Sequence, residues 1–254
     1  MPPCPPKHLR RPGRTHKMQY GICVRGRFRS RPNRFIALVD IDGRETVCHV
    51  KNTGRCRELL IPGCTVILER AQNPARKTAY DLIAVYKGDR LINMDSQAPN
   101  AVAAEYLAAR FPGALLSREV RCEDSRLDFR LEQNGQVLYV EVKGCTLEQA
   151  DIGYFPDAPT QRGVKHLHCL MRAVAAGHRA AVLFIVQMEG IRAVRPNDAT
   201  HPAFGQALRE AAAHGVELWA VGCRVTENTL TADSPIPVEP GFTIHGSHDT
   251  MERL

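Results

Sequence analysis

Hydrophobic residues in the first third of the chain come in short runs that alternate with polar ones and break off at turns. Residues 34–39, 46–50, 65–68 and 81–86 each read as a strand. Asp42-Gly43, Pro62-Gly63, Asn73-Pro74 and Gly88-Asp89 separate them. The pattern predicts four or five short strands closing into a small barrel or sandwich before Asp95. Near residue 100 the period changes. Asn100 is the expected N-cap of a helix over 101–111, stopped by Pro112-Gly113. Strands are then predicted over 115–122, 125–131, 137–143, 180–187 and 216–225, with helices over 160–176 and 202–214. The first of these helices carries Val164, Leu167, Met171 and Val174 on one face and Gly177 just past its end. A hairpin followed by β-α-β segments predicts a mixed sheet with helices on both sides. The domain boundary is expected between residues 90 and 100.

Charge separates the same two parts. Residues 1–95 hold 19 Lys and Arg against 8 Asp and Glu, whereas the remainder holds 15 against 19. A basic front suits a polyanion, because Lys and Arg beside phosphates release counterions and gain affinity without reading sequence. A basic surface kept for solubility is the plainer alternative. A barrel of the OB type commonly presents one face to nucleic acid. Nine cysteines are scattered without a C-x-x-C pair, which argues against zinc and for buried thiols in a reducing cytoplasm. No run is long or apolar enough to span a membrane. Residues 1–17 are basic and Pro-rich and read as a disordered extension, and residues 239–254 as a disordered tail.

Candidate chemistry lies around Asn134-Gly135, the preferred pair for a two-residue type I′ hairpin. With that turn, Asp128 stands directly opposite Glu141 with Cβ atoms about 5 Å apart. Lys143 follows two residues on, from the same face as Glu141. The other face carries Leu127, Phe129 and Leu131 opposite Val142, Val140 and Leu138. Opposed carboxylates repel unless a cation joins them. Hard oxygen ligands suit Mg²⁺ or Mn²⁺, and an amine beside them can orient a water and stabilise charge growing on a phosphate. A surface cluster of ion pairs is the plainer alternative.

Asp128 with Glu141-Val142-Lys143 resembles the PD-(D/E)xK nuclease signature. More specifically, residues 18–238 resemble the sugar fermentation stimulation protein A family. The resemblance rests on His49-Val50-Lys51-Asn52-Thr53-Gly54-Arg55, Ser125-Arg126-Leu127-Asp128-Phe129, Phe155-Pro156-Asp157-Ala158 and Thr160-Gln161-Arg162-Gly163-Val164-Lys165-His166. Gly144 stands where that family more often has Ser. The resemblance implies an OB-like barrel over 18–95, a nuclease-like domain over 96–238, DNA binding, and a link to the regulation of sugar metabolism, maltose especially.

The expected metal ligands are Asp128, Glu141 and the carbonyl of Val142, with Glu119 as a further carboxylate; Asp128, Glu141 and Lys143 form the expected catalytic set. Arg162 and Lys165 on the first turns of their helix can hold a phosphate. His166 reads as a packed or solvated histidine rather than a base. In the barrel, Arg25, Arg27, Arg29 and Arg31 alternate along one strand, so they share a face. Of these, Arg25, Arg27 and Arg31, together with Arg34, Asn52 and Arg55, form the expected nucleic-acid surface. Phe28 and Phe35 can stack on bases, although core packing is the first reading of both. The expected partner is DNA, with RNA the weaker alternative, in the cytoplasm and near the nucleoid; self-association is left open. The rival reading is a non-catalytic DNA-binding regulator of sugar-utilisation genes.

Overall fold

The computed structural model describes residues 18–241 apart from Thr53, Arg55, Glu123 and Asp124. The expected extension over 1–17, most of the expected tail and Arg55 therefore lie outside the described residues. Glu239 and Pro240, placed in that tail, are instead tied down. The Glu239 N–H donates to Val194 O at 2.8 Å, and Pro240 O accepts from Arg209 at 3.0 Å.

Six strands make up the first part: β1 Cys23–Asn33, β2 Ile36–Ile41, β3 Arg44–Val50, β4 Thr65–Arg70, β5 Tyr80–Lys87 and β6 Arg90–Asn93. Their order is β3-β2-β1-β4-β5-β6, and a parallel pairing of β3 with β5 closes the first five into a barrel. Closure leaves one side of each strand facing inward, where Phe28, Ala37, Val39, Val50, Val66, Leu68, Leu82 and Val85 are buried. Phe28 is thus a core residue. Phe35, read first as core, is 46% exposed.

Side-chain-to-backbone turns then carry the chain across. The Asp95 N–H donates to the Asn93 side chain and the Gln97 N–H to that of Asp95. Helix α1 spans Ala98–Arg110. Asn100 is therefore inside the first turn and not the N-cap, which is Gln97. Pro99 favours that earlier start, since a first-turn residue has no intrahelical N–H bond to lose.

Strands β7 Leu115–Cys122, β8 Ser125–Gln133, β9 Gln136–Cys145, β12 Arg179–Val186, β14 Glu217–Val225 and β15 Leu230–Ile236 form a second sheet, ordered β15-β14-β12-β9-β8-β7. The centre, β9-β12-β14, is parallel and the flanking pairs are antiparallel. A smaller sheet joins β10 Leu147–Gln149, β11 Ile152–Phe155 and β13 Ala193–Pro196. Helices α2 Gln161–Ala175 and α3 Pro202–Ala213 complete the set. Helix α1 covers one face of the large sheet and α2 covers the other. β12 shows the consequence: Ala181, Leu183 and Ile185 pack with α1, and Ala180, Val182, Phe184 and Val186 with α2 and α3. Burial on both faces accounts for its unbroken apolar run. In α2 the buried line runs through Gly163, His166, Leu167, Leu170 and Ala173, while the expected Val164, Met171 and Val174 lie at its edges.

The barrel and the second part are joined through polar groups. Lys87 and Arg90 meet Glu148 at 2.6 and 2.7 Å, and Arg90 also meets Asp151 at 2.6 Å. Gln187 Nε2 donates to Asn93 Oδ1 and to Asp95 O, each at 3.0 Å. The eight cysteines among the described residues are free thiols. No helix among these residues is long and apolar enough to cross a membrane.

Candidate functional site

Asn134 and Gly135 turn the β8–β9 hairpin with φ of 52° and 76°. These are the left-handed values that a type I′ turn requires. The ladder runs in the expected register from Gln133↔Gln136 to Phe129↔Val140 and stops there. Asp128 and Glu141 are the next pair in that register. At this point Asp128 Oδ2 accepts the backbone N–H of Val142 at 2.8 Å, so a carboxylate replaces a main-chain partner and the strands part. Asp128 Oδ1 accepts from Asn100 Nδ2 of α1 at 3.0 Å. The residues on either side of Asp128 pack apart: Leu127 belongs with Leu167 and Leu170 of α2, whereas Phe129 belongs with α1. The expectation that Leu127, Phe129 and Leu131 share one apolar face is thus corrected. Within the unbroken strand β8, the packing partners thus change from one side of Asp128 to the other.

Glu141 is 3% exposed. Its Oε1 accepts from Lys143 Nζ at 2.6 Å and from Nδ1 of His166. Nε2 of His166 in turn accepts from Arg162 Nε at 3.3 Å, which requires the Nδ1–H tautomer. The other oxygen, Oε2, is buried and has no hydrogen-bond partner. Burial alone would raise the Glu141 carboxyl; the His166 and Lys143 contacts outweigh it and hold the group below the usual range. Asp128 goes the other way. Burial and the neighbouring Glu141 charge push it above its usual range, against the pull of the Val142 N–H and Asn100.

Glu119 lies across β7 from Asp128, between the pairs Arg118↔Phe129 and Val120↔Leu127. Its φ of 49° breaks the strand's alternation; its side chain is 71% exposed and meets Arg126 at 3.3 Å. This geometry corrects the expectation of a further carboxylate in the site. Among the described residues no three His, Cys, Asp or Glu side chains converge as a metal cage. The pair Asp128 and Glu141 matches the one or two carboxylates Mg²⁺ uses while keeping its waters.

The start of α2 is organised differently from the expected phosphate cradle. Thr160 caps it by accepting the Gly163 N–H at 3.0 Å, and a Cβ at Gly163 would meet Phe204 of α3 at 3.2 Å. Arg162 leans on His166, and Lys165 is exposed.

The barrel arginines also have internal partners. Arg25 pairs with Glu227 at 2.6 Å, Arg27 donates to Gly63 O at 3.3 Å, and Arg29 pairs with Asp40. Arg31 holds a loop, donating to Gly54 O at 2.7 Å, Asn52 O at 2.5 Å and Arg34 O at 2.8 Å. Asn52 folds over the same loop, accepting the Gly54 N–H at 2.7 Å and donating to Met94 O at 2.9 Å. Arg34 lies over the Phe35 ring, 5.1 Å from its centroid. Two site residues, His166 and Asn100, were not read from the chain as partners of the carboxylates. The Arg162 and His166 spacing of one helical turn was the visible trace of the former.

Comparison with known proteins covers both parts. Residues 30–94 match the family model "SfsA N-terminal OB domain", and residues 97–229 match "Sugar fermentation stimulation protein RE domain". A sugar fermentation stimulation protein homolog from Desulfitobacterium hafniense is 54% identical over 224 residues, covering 87% of this chain and 98% of its own. One from Clostridium beijerinckii is 48% identical over 216 residues, covering 84% and 96%. The solved structure of Pyrococcus furiosus SfsA in complex with Ca²⁺ is similar with a TM-score of 0.78 at 26% identity, covering 88% of this chain and 99% of that one.

Proposed function

This chain belongs to the sugar fermentation stimulation protein (SfsA) family, and on that premise we propose that it binds nucleic acid, DNA first, and cleaves phosphodiesters with the help of a divalent cation. One observation carries the metal reading: Oε2 of Glu141 is buried without a partner, where the β8–β9 ladder stops and the Glu141 charge acts on the neighbouring Asp128 carboxyl. A buried carboxylate oxygen left unpaired is costly, and a cation relieves that cost. Asp128, Glu141 and the Val142 carbonyl are the residues that would hold Mg²⁺ or Mn²⁺. The Pyrococcus furiosus relative in complex with Ca²⁺ supports the same hard-ion chemistry. When bound, such an ion neutralises phosphate charge and makes a nearby water more acidic.

The chain's own groups do the positioning. His166 and Lys143 both hold Oε1 of Glu141, which fixes the carboxylate and leaves Oε2 pointing away from them. Asn100 and the Val142 N–H fix Asp128 in the same way. Lys143 is held at this spot by Glu141 and has further N–H donors to offer an attacking water or a phosphate oxygen. Basic surface on the barrel supplies affinity for the polyanion.

Melting curves of the full chain with and without Mg²⁺, Mn²⁺ or Ca²⁺, run beside a cleavage assay on single-stranded, duplex and branched DNA, test this reading. Metal-dependent stabilisation with Mg²⁺- or Mn²⁺-dependent cleavage, lost in Lys143→Ala, is the expected result. Stabilisation without any cleavage would favour the rival reading, a DNA-binding regulator of sugar utilisation. No stabilisation by any of the three ions would remove the metal site.

A further inference from the structure

A cleft of about 480 Å³ opens on the barrel, lined by Arg29, Arg31, Arg34 and Arg57 together with Leu60 and Pro62. Among the described residues no carboxylate lines it. Arg29 and Arg31 are fixed by Asp40 and by loop carbonyls, so they set its shape. Arg34 and Arg57 are exposed. Two large apolar side chains adjoin the rim and stay open to solvent, Phe35 at 46% and Ile61 at 57%. The Arg34 guanidinium already covers part of the Phe35 ring.

From this arrangement we infer that the cleft takes a single strand of nucleic acid, with phosphates on Arg34 and Arg57 and a base on Phe35. The inference rests on the nucleic-acid reading above and narrows it to a substrate class. Cations alone would serve a duplex equally well, because phosphates line the outside of both forms. Exposed aromatic and aliphatic surface beside them serves only a ligand whose base faces are free, and a duplex stacks its base faces away.

The position of the cleft adds a second reason. Arg31, on its wall, grips the carbonyl of Gly54 at 2.7 Å. Gly54 lies against the second part of the molecule, where a Cβ would stand 2.9 Å from Oδ2 of Asp157. Asp157 belongs to the turn that leads into α2, and α2 brings His166 to Glu141. Gly54, on the lining of the cleft, thus adjoins the turn into the helix whose His166 holds Glu141.

Fluorescence anisotropy on the full chain, with EDTA present, tests the cleft. The probes are labelled oligothymidylate and oligouridylate of about 12 nucleotides and a blunt duplex of equal length. Either strand should bind roughly tenfold or more tightly than the duplex, and Phe35→Ala should remove about that advantage. Phe35→Trp should keep it, because the stacking face remains. Arg57→Ala should lower the slope of log affinity against log salt by about 0.7. Duplex bound as tightly as single strand, or Phe35→Ala bound as tightly as wild type, overturns the inference. Because no divalent ion is free, a failure of the metal reading cannot imitate either result. No binding to any probe removes the nucleic-acid reading itself, and this inference with it.

Discussion

One oxygen of Glu141 has two donors and the other has none, and this asymmetry separates the two carboxylates by experiment. Asp128 is held above its usual range. Its native state therefore binds more protons than the unfolded chain over that interval, and metal-free stability falls as pH rises through it. Asp128→Asn removes this loss and keeps the bond from the Val142 N–H through its amide oxygen, while its amide NH2 holds Asn100 only if the Asn100 amide turns over. The net change at neutral pH without metal should stay within about 1 kcal/mol. Glu141→Gln should be different, because it strands the mostly buried Lys143 ammonium; a loss of about 3 kcal/mol is expected in urea melts. Both variants should lose the stabilisation that added Mn²⁺ gives wild type. Equal metal-free costs for the two would show that the Lys143 pairing does not matter. His166 and Arg162 act through Glu141. His166→Ala should weaken metal binding by about 10- to 100-fold, and Arg162→Ala should weaken it by less. Metal titration by calorimetry reads both. An Arg162→Ala protein with intact metal affinity and weakened DNA binding would return Arg162 to the phosphate role first read from its helix turn.

At the scale of elements, β9 ends in a tight fit. A Cβ at Gly144 would stand 2.5 Å from Gln187 Oε1 and 2.8 Å from Pro99 Cγ of α1. Gln187 cannot swing away freely, because its Nε2 is bonded to Asn93 and Asp95. Glycine at position 144 thus lets β9, α1 and the inter-domain turn close on one another. Gly144→Ala should destabilise by about 1–3 kcal/mol. Combined with Gln187→Ala the cost should be less than additive, because the second change makes room for the first. Strict additivity in that double-mutant cycle would mean the two side chains do not share this space. The same end of β9 carries Lys143, so crowding there should also disturb the carboxylate pair.

For the whole molecule, the barrel is fastened to the second part by charge as well as by packing. Burial would raise Glu148, but Lys87 and Arg90 more than compensate and hold it below the usual carboxylate range. A depressed acid stabilises the folded state above its unfolded pKa and loses that contribution as pH falls through the folded one. Acid should therefore loosen the junction at Glu148. Melting temperature followed downward from neutral pH should drop more steeply in wild type than in Glu148→Gln, which begins lower and lacks this titration. Parallel curves would place the acid sensitivity elsewhere.

Local features of the chain determined a good deal. Asn134-Gly135 set the hairpin register, because only residues that tolerate left-handed φ turn a two-residue loop in the sense of strand twist. Alternation and run length gave the barrel strands and the doubly covered β12, since burial on one face or two leaves different periods. These are short-range effects of sterics and solvent, written within a few residues. What faces the carboxylates was decided elsewhere. His166 reaches Glu141 because α2 packs on the sheet, and Asn100 reaches Asp128 because α1 starts a turn early on the opposite side. Glu119 has the right place in register yet turns outward through a backbone angle that no period predicts. Leu127 and Phe129 match in sequence spacing but fall in different layers once the strands part at Asp128. Contacts between residues far apart in the chain depend on how finished helices and sheets fill space together, and only the tertiary structure settles that.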